Sequence, residues 1–197
     1  MIVEGSNDMD LTVWLNLRTL ILGEVKTGKS RLTSTVVARM AAAGFSEQTI
    51  LLDLAPRITG GIGGRIQPPS PGILYLTTDI VPPRLTGKTE AEVEALAVRN
   101  AAAIEPLLDR CLASSRRVLV INDATLYLQA GNPDRLMILL NRPATLIVNA
   151  YYGRTLGGTE FSLRERRRID AIRPLFDRVV HLAEKATPAR LKGGPGS

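Results

Sequence analysis

The stretch GEVKTGKS, from Gly23 to Ser30, decides the fold because the hydrophobic pattern of the chain changes across it. Before it, Leu17 to Leu22 is an apolar run of strand character that the first glycine ends. After it, residues 29–43 are predicted to form a helix, and Gly44 stands where a glycine commonly ends one. The order of strand, glycine-rich loop and helix predicts an α/β unit.

Further apolar runs, several of them ending at a polar residue, continue this pattern along the chain. They predict strands at residues 49–54, 73–78, 117–121, 144–148 and 178–183. Helices are predicted at residues 89–114, 133–140 and 163–176, and Pro106 is expected to kink or divide the first of them. Strands that alternate with helices predict a mainly parallel, doubly wound sheet with helices on both faces.

Composition indicates one domain. The chain has 197 residues, of which 45% are hydrophobic and 22% are charged, and we assign 1–191 to the domain and 192–197 to a flexible tail. No apolar run is long enough to cross a bilayer and the start lacks the features of a signal peptide, so a cytoplasmic protein is expected. The lone Cys111 is expected to be a buried, inert thiol.

Residues 23–30 fit the spacing G-x-x-x-x-G-K-[ST] at every fixed position. Glycines allow the backbone to fold around a phosphate, so that successive N–H groups bind its oxygens. Lys29 is expected to reach the β- and γ-phosphates, and the Ser30 hydroxyl is expected to bind Mg²⁺. The sequence therefore predicts a three-layer P-loop fold that binds a nucleoside triphosphate.

A second motif is VLVIND, from Val118 to Asp123, in which an apolar strand ends in an acid. This pattern is typical of an aspartate that holds Mg²⁺ opposite a phosphate-binding loop, although an acid at this place also caps turns. Asp123 is our candidate metal ligand beside Ser30. Asn149, after the fifth predicted strand, is a candidate for contact with the γ-phosphate or the base.

The third motif, ILLDLAP from Ile50 to Pro56, carries a resemblance to known proteins. The chain has a phosphate loop, then one helix, then a strand that ends in D-L-x-P. This order resembles that of the P-loop class that contains the chromosome-partitioning and septum-site ATPases and the metallochaperone GTPases. In that class the strand after the helix lies beside the strand of the phosphate loop, and its acid helps to organise metal and attacking water. The resemblance gives Asp53 this role, and the alternative is a turn-capping acid. The partitioning ATPases have a lysine where this chain has Glu24.

A second resemblance covers residues 117–184, where the order VLVIND, YLQAG, NRPATLIVNA and FDRVVHLAE looks like the later half of the P-loop corrinoid adenosyltransferases. It implies shared architecture. The phosphate loop and the acid pair of those enzymes differ from those of this chain.

These motifs give a set of candidate residues for each role. The candidate catalytic residues are Lys29, Asp53 and Asp123, and the candidate metal ligands are Ser30, Asp53 and Asp123. The candidate nucleotide-binding residues are Gly23, Glu24, Val25, Lys26, Thr27, Gly28, Lys29, Ser30, Arg31 and Asn149. No N-K-x-D motif for guanine is found, which favours ATP over GTP.

Three functions fit the sequence. The first is a Mg²⁺-dependent ATPase with slow turnover, acting as a nucleotide-driven switch or assembly factor with a protein partner or a second copy of the chain. The second is a small-molecule kinase or ATP-dependent ligase of the dethiobiotin-synthetase type. In it the Gly/Pro-rich segment 57–72, which is predicted to be a long loop and not a regular helix or central strand, would hold an acceptor together with the segment Asp79–Lys88, and Arg65, Arg84 and Arg154 would be lid residues. The third is a GTPase or a nucleotide-binding subunit without turnover.

The net charge is +6, and basic residues are frequent late in the chain, with a cluster at Arg164, Arg166, Arg167 and Arg168. Such a cluster permits nucleic-acid binding through the C-terminal third or an arginine contact to a transferred phosphate. A solvated helix face explains it equally simply, since Arg164 and Arg168 are one helical turn apart.

Overall fold

The structure is a computed structural model that describes residues 10–57, 64–155 and 158–183. Its strands are β1 (Arg18–Gly23), β2 (Thr49–Asp53), β3 (Leu74–Thr77), β4 (Val118–Asn122), β5 (Thr145–Tyr151) and β6 (Arg178–Leu182). Its α-helices are α1 (Lys29–Ala42), α2 (Pro83–Thr86), α3 (Glu90–Ala113), α4 (Thr125–Leu128), α5 (Pro133–Leu140) and α6 (Glu160–Ile172). Short 3₁₀ turns lie at Leu11–Val13, Ser46–Gln48 and Arg173–Leu175.

The six strands form one sheet in the order β3-β2-β4-β5-β1-β6, and every neighbouring pair is parallel. The predicted α/β class is thereby confirmed. Because all strands run in one direction, the loops that follow their carboxyl ends meet at a single edge of the sheet, which is where such folds bind ligands.

Alternating residues of the strands feed two separate cores. Leu20 and Leu22 of β1 belong to a cluster with residues of α3, α5 and α6, whereas Ile21 points to a cluster with α1 and Trp14. This alternation follows from the two-residue period of a strand. The sheet is therefore the middle of three layers.

The position of β2 differs from what the resemblance to the partitioning ATPases implied. β2 pairs with β3 and β4, while β1 pairs with β5 and β6, so β2 does not lie beside the strand of the glycine-rich loop. All five residues of β2 are buried, as are those of β4. A strand buried on both faces has the same apolar pattern whatever its neighbours are, so local sequence does not determine strand order.

Three predicted elements differ from the structure. Helix α6 was predicted at residues 163–176 and spans Glu160–Ile172, so it begins and ends earlier. Helix α3 continues through Pro106 without division. Pro106 and Ala102, whose carbonyl is left without its amide partner by the proline, are both exposed residues. Strand β5 continues to Tyr151, so Asn149 lies inside it. β5 pairs with β4 only as far as Val148, however, and Asn149 is the first residue beyond that pairing.

Candidate functional site

The glycine-rich loop (residues 23–30) joins β1 to α1 in a conformation that needs its glycines. Gly28 caps α1 with a φ of 96°, and Lys26 has a φ of 63°. A Cβ atom on Gly23 would lie 2.6 Å from the carbonyl oxygen of Leu182 and 2.8 Å from Thr27 Oγ1. Both glycines of the motif therefore stand where the backbone requires glycine, in the sharp turn between β1 and α1.

Lys29 is folded back onto the loop. Its Nζ donates to the carbonyl oxygens of Gly23, at 2.9 Å, and Glu24, at 2.5 Å. Burial lowers the pKa of Lys29, while the charges of Asp123 and Glu24 act in the opposite direction. A cation with little solvent around it is poised to bind an anion, since the anion would replace the two carbonyls as its partner.

Glu24 stands where the partitioning ATPases have a lysine, and it ties the glycine-rich loop to the segment after β5. Its Oε1 accepts hydrogen bonds from the backbone N–H groups of Arg154 and Thr155, the latter at 3.1 Å. Burial would raise the pKa of Glu24, but these peptide donors outweigh it and the pKa is lowered. Glu24 is therefore a structural anchor for the segment 153–155.

Asp123 follows β4 in the left-handed region, with a φ of 60°. Asn149 holds it there, because the backbone N–H of Asp123 donates to Asn149 Oδ1 at 2.9 Å and the next N–H, of Ala124, donates to the Asn149 carbonyl at 2.9 Å. Burial raises the pKa of the Asp123 carboxyl, and the charge of Lys29 opposes this. Left-handed non-glycine residues of this kind are frequent in functional sites.

A cavity of about 330 Å³ joins these residues at the carboxyl edge of the sheet. It is lined from the glycine-rich loop by Val25, Lys26, Gly28, Lys29, Ser30 and Arg31, and from the strands by Asp123, Asn149 and Tyr151. Its remaining lining residues are Pro56, Pro82, Pro83, Arg84, Leu85, Thr125, Leu126 and Gln129. The candidate residues predicted at positions 25, 26, 28–31, 123 and 149 thus share one cavity.

The oxygen donors of this cavity fit Mg²⁺. Ser30 brings a hydroxyl and Asp123 a carboxylate, both on residues that line it. Among the described residues no group of three or more His, Cys, Asp or Glu side chains could hold a metal by itself. Mg²⁺ suits so small a protein donor set because it keeps waters and takes its other ligands from substrate phosphates.

Asp53, the other candidate metal ligand, is fully buried and hydrogen-bonded to protein groups. Its Oδ1 accepts from Asn122 Nδ2 at 2.8 Å and Ala55 N at 3.2 Å, and its Oδ2 accepts from Ile66 N at 2.6 Å and the Tyr75 hydroxyl at 3.3 Å. Burial raises its pKa, and these four donors oppose the rise. Asp53 is not among the described residues that line the cavity.

A buried chain of hydrogen bonds connects Asp53 to the helix after the glycine-rich loop. Asn149 Nδ2 donates to Thr33 Oγ1 of α1 and to Asn122 Oδ1 of β4, each at 2.8 Å, and Asn122 donates in turn to Asp53. We call these four residues the polar relay. It runs across the sheet from α1 to residues 64–66, where Ile66 donates to Asp53 and Gly64 accepts from Asn122 at 3.3 Å.

The predicted loop at 57–72 is described only in part, since residues 58–63 lie outside the described ranges. Residues 64–72 have no helix or strand, as predicted. Arg65 donates to the Thr78 carbonyl at 2.5 Å and lies 3.8 Å from the carboxylate of Asp79, which is 89% exposed. Arg65 is not among the described residues that line the cavity. The segment after residue 64 packs against the Asp53 end of the polar relay.

The arginine cluster of α6 makes contacts within the chain. Arg164 pairs with Glu94 at 2.5 Å, and Arg168 donates to the Leu128 carbonyl at 2.8 Å. Arg167 pairs with Glu160 at 3.1 Å, and the Arg166 guanidinium lies 4.4 Å from the centre of the Tyr152 ring. These contacts favour the interpretation of the cluster as a helix face.

Several residues of the cavity carry no sequence motif. Arg84 of α2, which the sequence predicts as a lid residue of a kinase, lines the cavity, as do Gln129 after α4 and Tyr151 at the end of β5. Glu165 of α6 is buried, pairs with Arg84 and accepts from Gln129 Nε2 at 3.0 Å. One feature of the sequence indicates the contact between Gln129 and Glu165: both polar residues stand at apolar positions of helical segments. Such a position predicts a buried polar contact but does not identify the partner.

Searches with models of protein families and against characterised proteins found no match to this chain. None of the helices in the described residues has the length and apolar character that a membrane span requires.

Proposed function

We propose that this protein is a Mg²⁺-dependent nucleoside triphosphatase that uses ATP, turns over slowly and acts as a nucleotide-driven switch or assembly ATPase. One observation carries the proposal: Lys29, Ser30 and Asp123, which come from two segments far apart in sequence, line a single cavity at the carboxyl edge of a parallel sheet. These are the residue types that phosphoryl-transfer sites use for phosphate and metal.

Each residue has a distinct part in the proposed site. The N–H groups at the start of α1 and the Lys29 ammonium would bind phosphate oxygens, with Lys29 exchanging its two loop carbonyls for the β- and γ-phosphates. Ser30 and Asp123 would hold Mg²⁺, which when bound neutralises phosphate charge. Asn149 fixes the backbone of Asp123 and reaches the same cavity.

The polar relay supports a switch. A triphosphate that contacts Asn149 would bias a hydrogen-bonded chain whose other end holds residues 64–66. Buried side-chain networks adopt discrete arrangements, so a small change at the phosphate could alter the surface formed by this segment. A protein partner or a second copy of the chain would read that surface.

A second function, a small-molecule kinase, is favoured by the extent of the cavity. The lining of the cavity also includes Pro82, Leu85 and Leu126, which are apolar residues that the phosphate groups do not require. In a kinase these residues would contact the acceptor. ATP labelled at the γ-phosphate distinguishes the two functions, since a switch releases labelled phosphate and a kinase transfers it to an added small molecule.

The test is phosphate release from ATP and from GTP, each with Mg²⁺, by the wild type, Lys29→Ala and Asp123→Ala. We expect slow release from ATP, and loss of it in both variants. Asp123→Ala should still bind some nucleotide, because Lys29 and the helix N-terminus remain. Undiminished release by Lys29→Ala would refute the proposed site, and faster release from GTP than from ATP would make the protein a GTPase.

A further inference from the structure

Arg84 is the one basic residue among the described lining of the cavity that does not come from the segment 23–31. It lies on α2, its side chain is 14% exposed, and it shares the cavity with Lys29 and Asp123. The Arg84 guanidinium carbon is 5.5 Å from the centre of the Tyr151 ring, and Lys29 Nζ is 6.0 Å from the same centre. Lys29 and Arg84, which are far apart in sequence, therefore both lie near the Tyr151 ring and line the same cavity.

A buried carboxylate, that of Glu165, holds the Arg84 guanidinium in place. Its Nη2 pairs with Glu165, which is 2% exposed and accepts a second hydrogen bond from Gln129 at 3.0 Å. The Phe161 ring, 5.4 Å from the guanidinium carbon, packs on the same group. Such support holds the side chain in one orientation before any ligand arrives, which is the condition for electrostatic catalysis.

Arg84 also has donors to spare. A guanidinium carries five N–H donors, and among the described residues Glu165 is the one hydrogen-bond partner of Arg84. Its Nε is buried and has no acceptor in the described part of the chain. The same holds for Arg164 Nε, so this atom does not distinguish the two arginines. The two Nη atoms carry four of the five N–H groups and Glu165 is bonded through Nη2 alone, so an incoming anion can accept from the remaining N–H groups.

We propose that Arg84 is a catalytic residue that binds the γ-phosphoryl oxygens during their transfer, and that Glu165 is its positioning residue. The proposal rests on the nucleoside triphosphatase function proposed above. In the reaction a water oxygen forms a bond to the γ-phosphorus and the bond to the β–γ bridging oxygen breaks. The electron pair leaves with the diphosphate, and the net proton is released to solvent. A guanidinium aimed at the transferring group stabilises charge that Lys29 alone leaves uncompensated.

Arg164 is a matched control for Arg84. Its guanidinium carbon is 5.2 Å from the centre of the same Phe161 ring, and it pairs with Glu94 in an ion pair that is more exposed than that of Arg84 with Glu165. Arg164 is not among the described residues that line the cavity. Replacement of either arginine removes one ion pair and a contact with the Phe161 ring. Replacement of Arg84 also removes its contact with Tyr151 and a cation from the proposed site.

The experiment compares the affinity of each variant for ADP with aluminium fluoride, which imitates the transferring phosphoryl group, and for a non-hydrolysable ATP analogue, both with Mg²⁺. We expect Arg84→Ala to weaken the first about 100-fold or more and the second by less than about fivefold, since loss of one such donor typically has an effect of this size. Arg164→Ala should change neither. Glu165→Gln should weaken only the aluminium fluoride complex, about tenfold.

Arg84→Ala leaves Glu165 as a buried charge without its partner, so the double variant Arg84→Met with Glu165→Gln is measured beside it. Either variant that folds, by circular dichroism, must show the selective loss. Equal losses for both ligands would make Arg84 a ground-state binding residue and overturn the proposal, as would a loss no larger than that of Arg164→Ala. A wild type that binds neither ligand would refute the triphosphatase function itself, and the role of Arg84 with it.

Discussion

Replacement of Asn149 by leucine tests the polar relay, because leucine has a similar size and no polar atoms. Asn149 is 1% exposed and makes three side-chain hydrogen bonds. In the variant, the N–H of Asp123 loses its acceptor and Asn122 Oδ1 loses its donor. Thr33 Oγ1 keeps one hydrogen bond, since its hydroxyl still donates to the Lys29 carbonyl at 2.9 Å. Two polar groups are thus left without partners.

The expected loss follows from those two groups. Each unsatisfied buried group costs about 1–3 kcal/mol. The greater apolar surface of leucine offsets about 1.5 kcal/mol of the total. The free energy of unfolding should therefore fall by roughly 3 kcal/mol. For a chain of this length that corresponds to a fall in Tm of roughly 6–12 °C.

The assay is equilibrium unfolding in urea, with Asn132→Ala as the control. Asn132 is exposed and caps α5, accepting from the backbone of Asp134 at 2.9 Å, so its loss should cost about 1 kcal/mol. The slope of the free energy against urea should be the same for the wild type and both variants. If Asn149→Leu destabilises the protein no more than Asn132→Ala does, the reasoning about the polar relay is wrong.

Three other predictions concern the glycine-rich loop, the charges of the cavity and the cysteine. Gly23→Ala should lower ATP affinity at least about tenfold in calorimetry, because a Cβ there would lie 2.6 Å from the Leu182 carbonyl oxygen, and wild-type affinity in this variant would contradict the loop geometry. Burial raises the pKa of Asp123 and lowers that of Lys29. As the pH is lowered, Mg²⁺-dependent turnover should therefore fall with a midpoint above the ordinary pKa of a carboxyl group. As the pH is raised, triphosphate affinity should fall with a midpoint below the ordinary pKa of a lysine. Profiles with ordinary midpoints would contradict this. Burial raises the pKa of the Cys111 thiol to about 12, so a thiol reagent should label it only after unfolding, and rapid labelling of the folded protein would show that it is accessible.

Local sequence determined much of the fold. The apolar runs of β1, β2 and β4 end at the carboxyl edge within about one residue of the predicted positions, because buried parallel strands have few polar residues before their ends. The glycine-rich loop and α1 were also predictable, since the spacing of the glycines leaves few other conformations. Strand order was not, because it depends on crossovers between segments that share the same apolar pattern.

The residues of the candidate site that belong to short sequence motifs could be predicted. Lys29, Ser30 and Asp123 were found in this way and line the cavity. Asp53 was chosen by resemblance, and the structure gives it four protein donors. The Ala55 N–H, two residues on, fits the turn-capping alternative, and the other three donors are distant in sequence and have no local pattern. The pairing of Arg84 with Glu165 joins residues 81 positions apart, and a contact at that distance has no signature in a single sequence.

The proposed nucleotide site is tested most directly by calorimetric titration of ATP with Mg²⁺ into the wild type, Lys29→Ala and Lys26→Ala. Lys26 lines the same cavity from the same loop, so its variant removes an equal charge without removing the partly buried ammonium of Lys29. We expect tight binding to the wild type, an affinity within about fivefold of it for Lys26→Ala, and a loss of at least about 100-fold for Lys29→Ala. Equal affinity of Lys29→Ala and the wild type would contradict this expectation, as would a wild type that does not bind ATP.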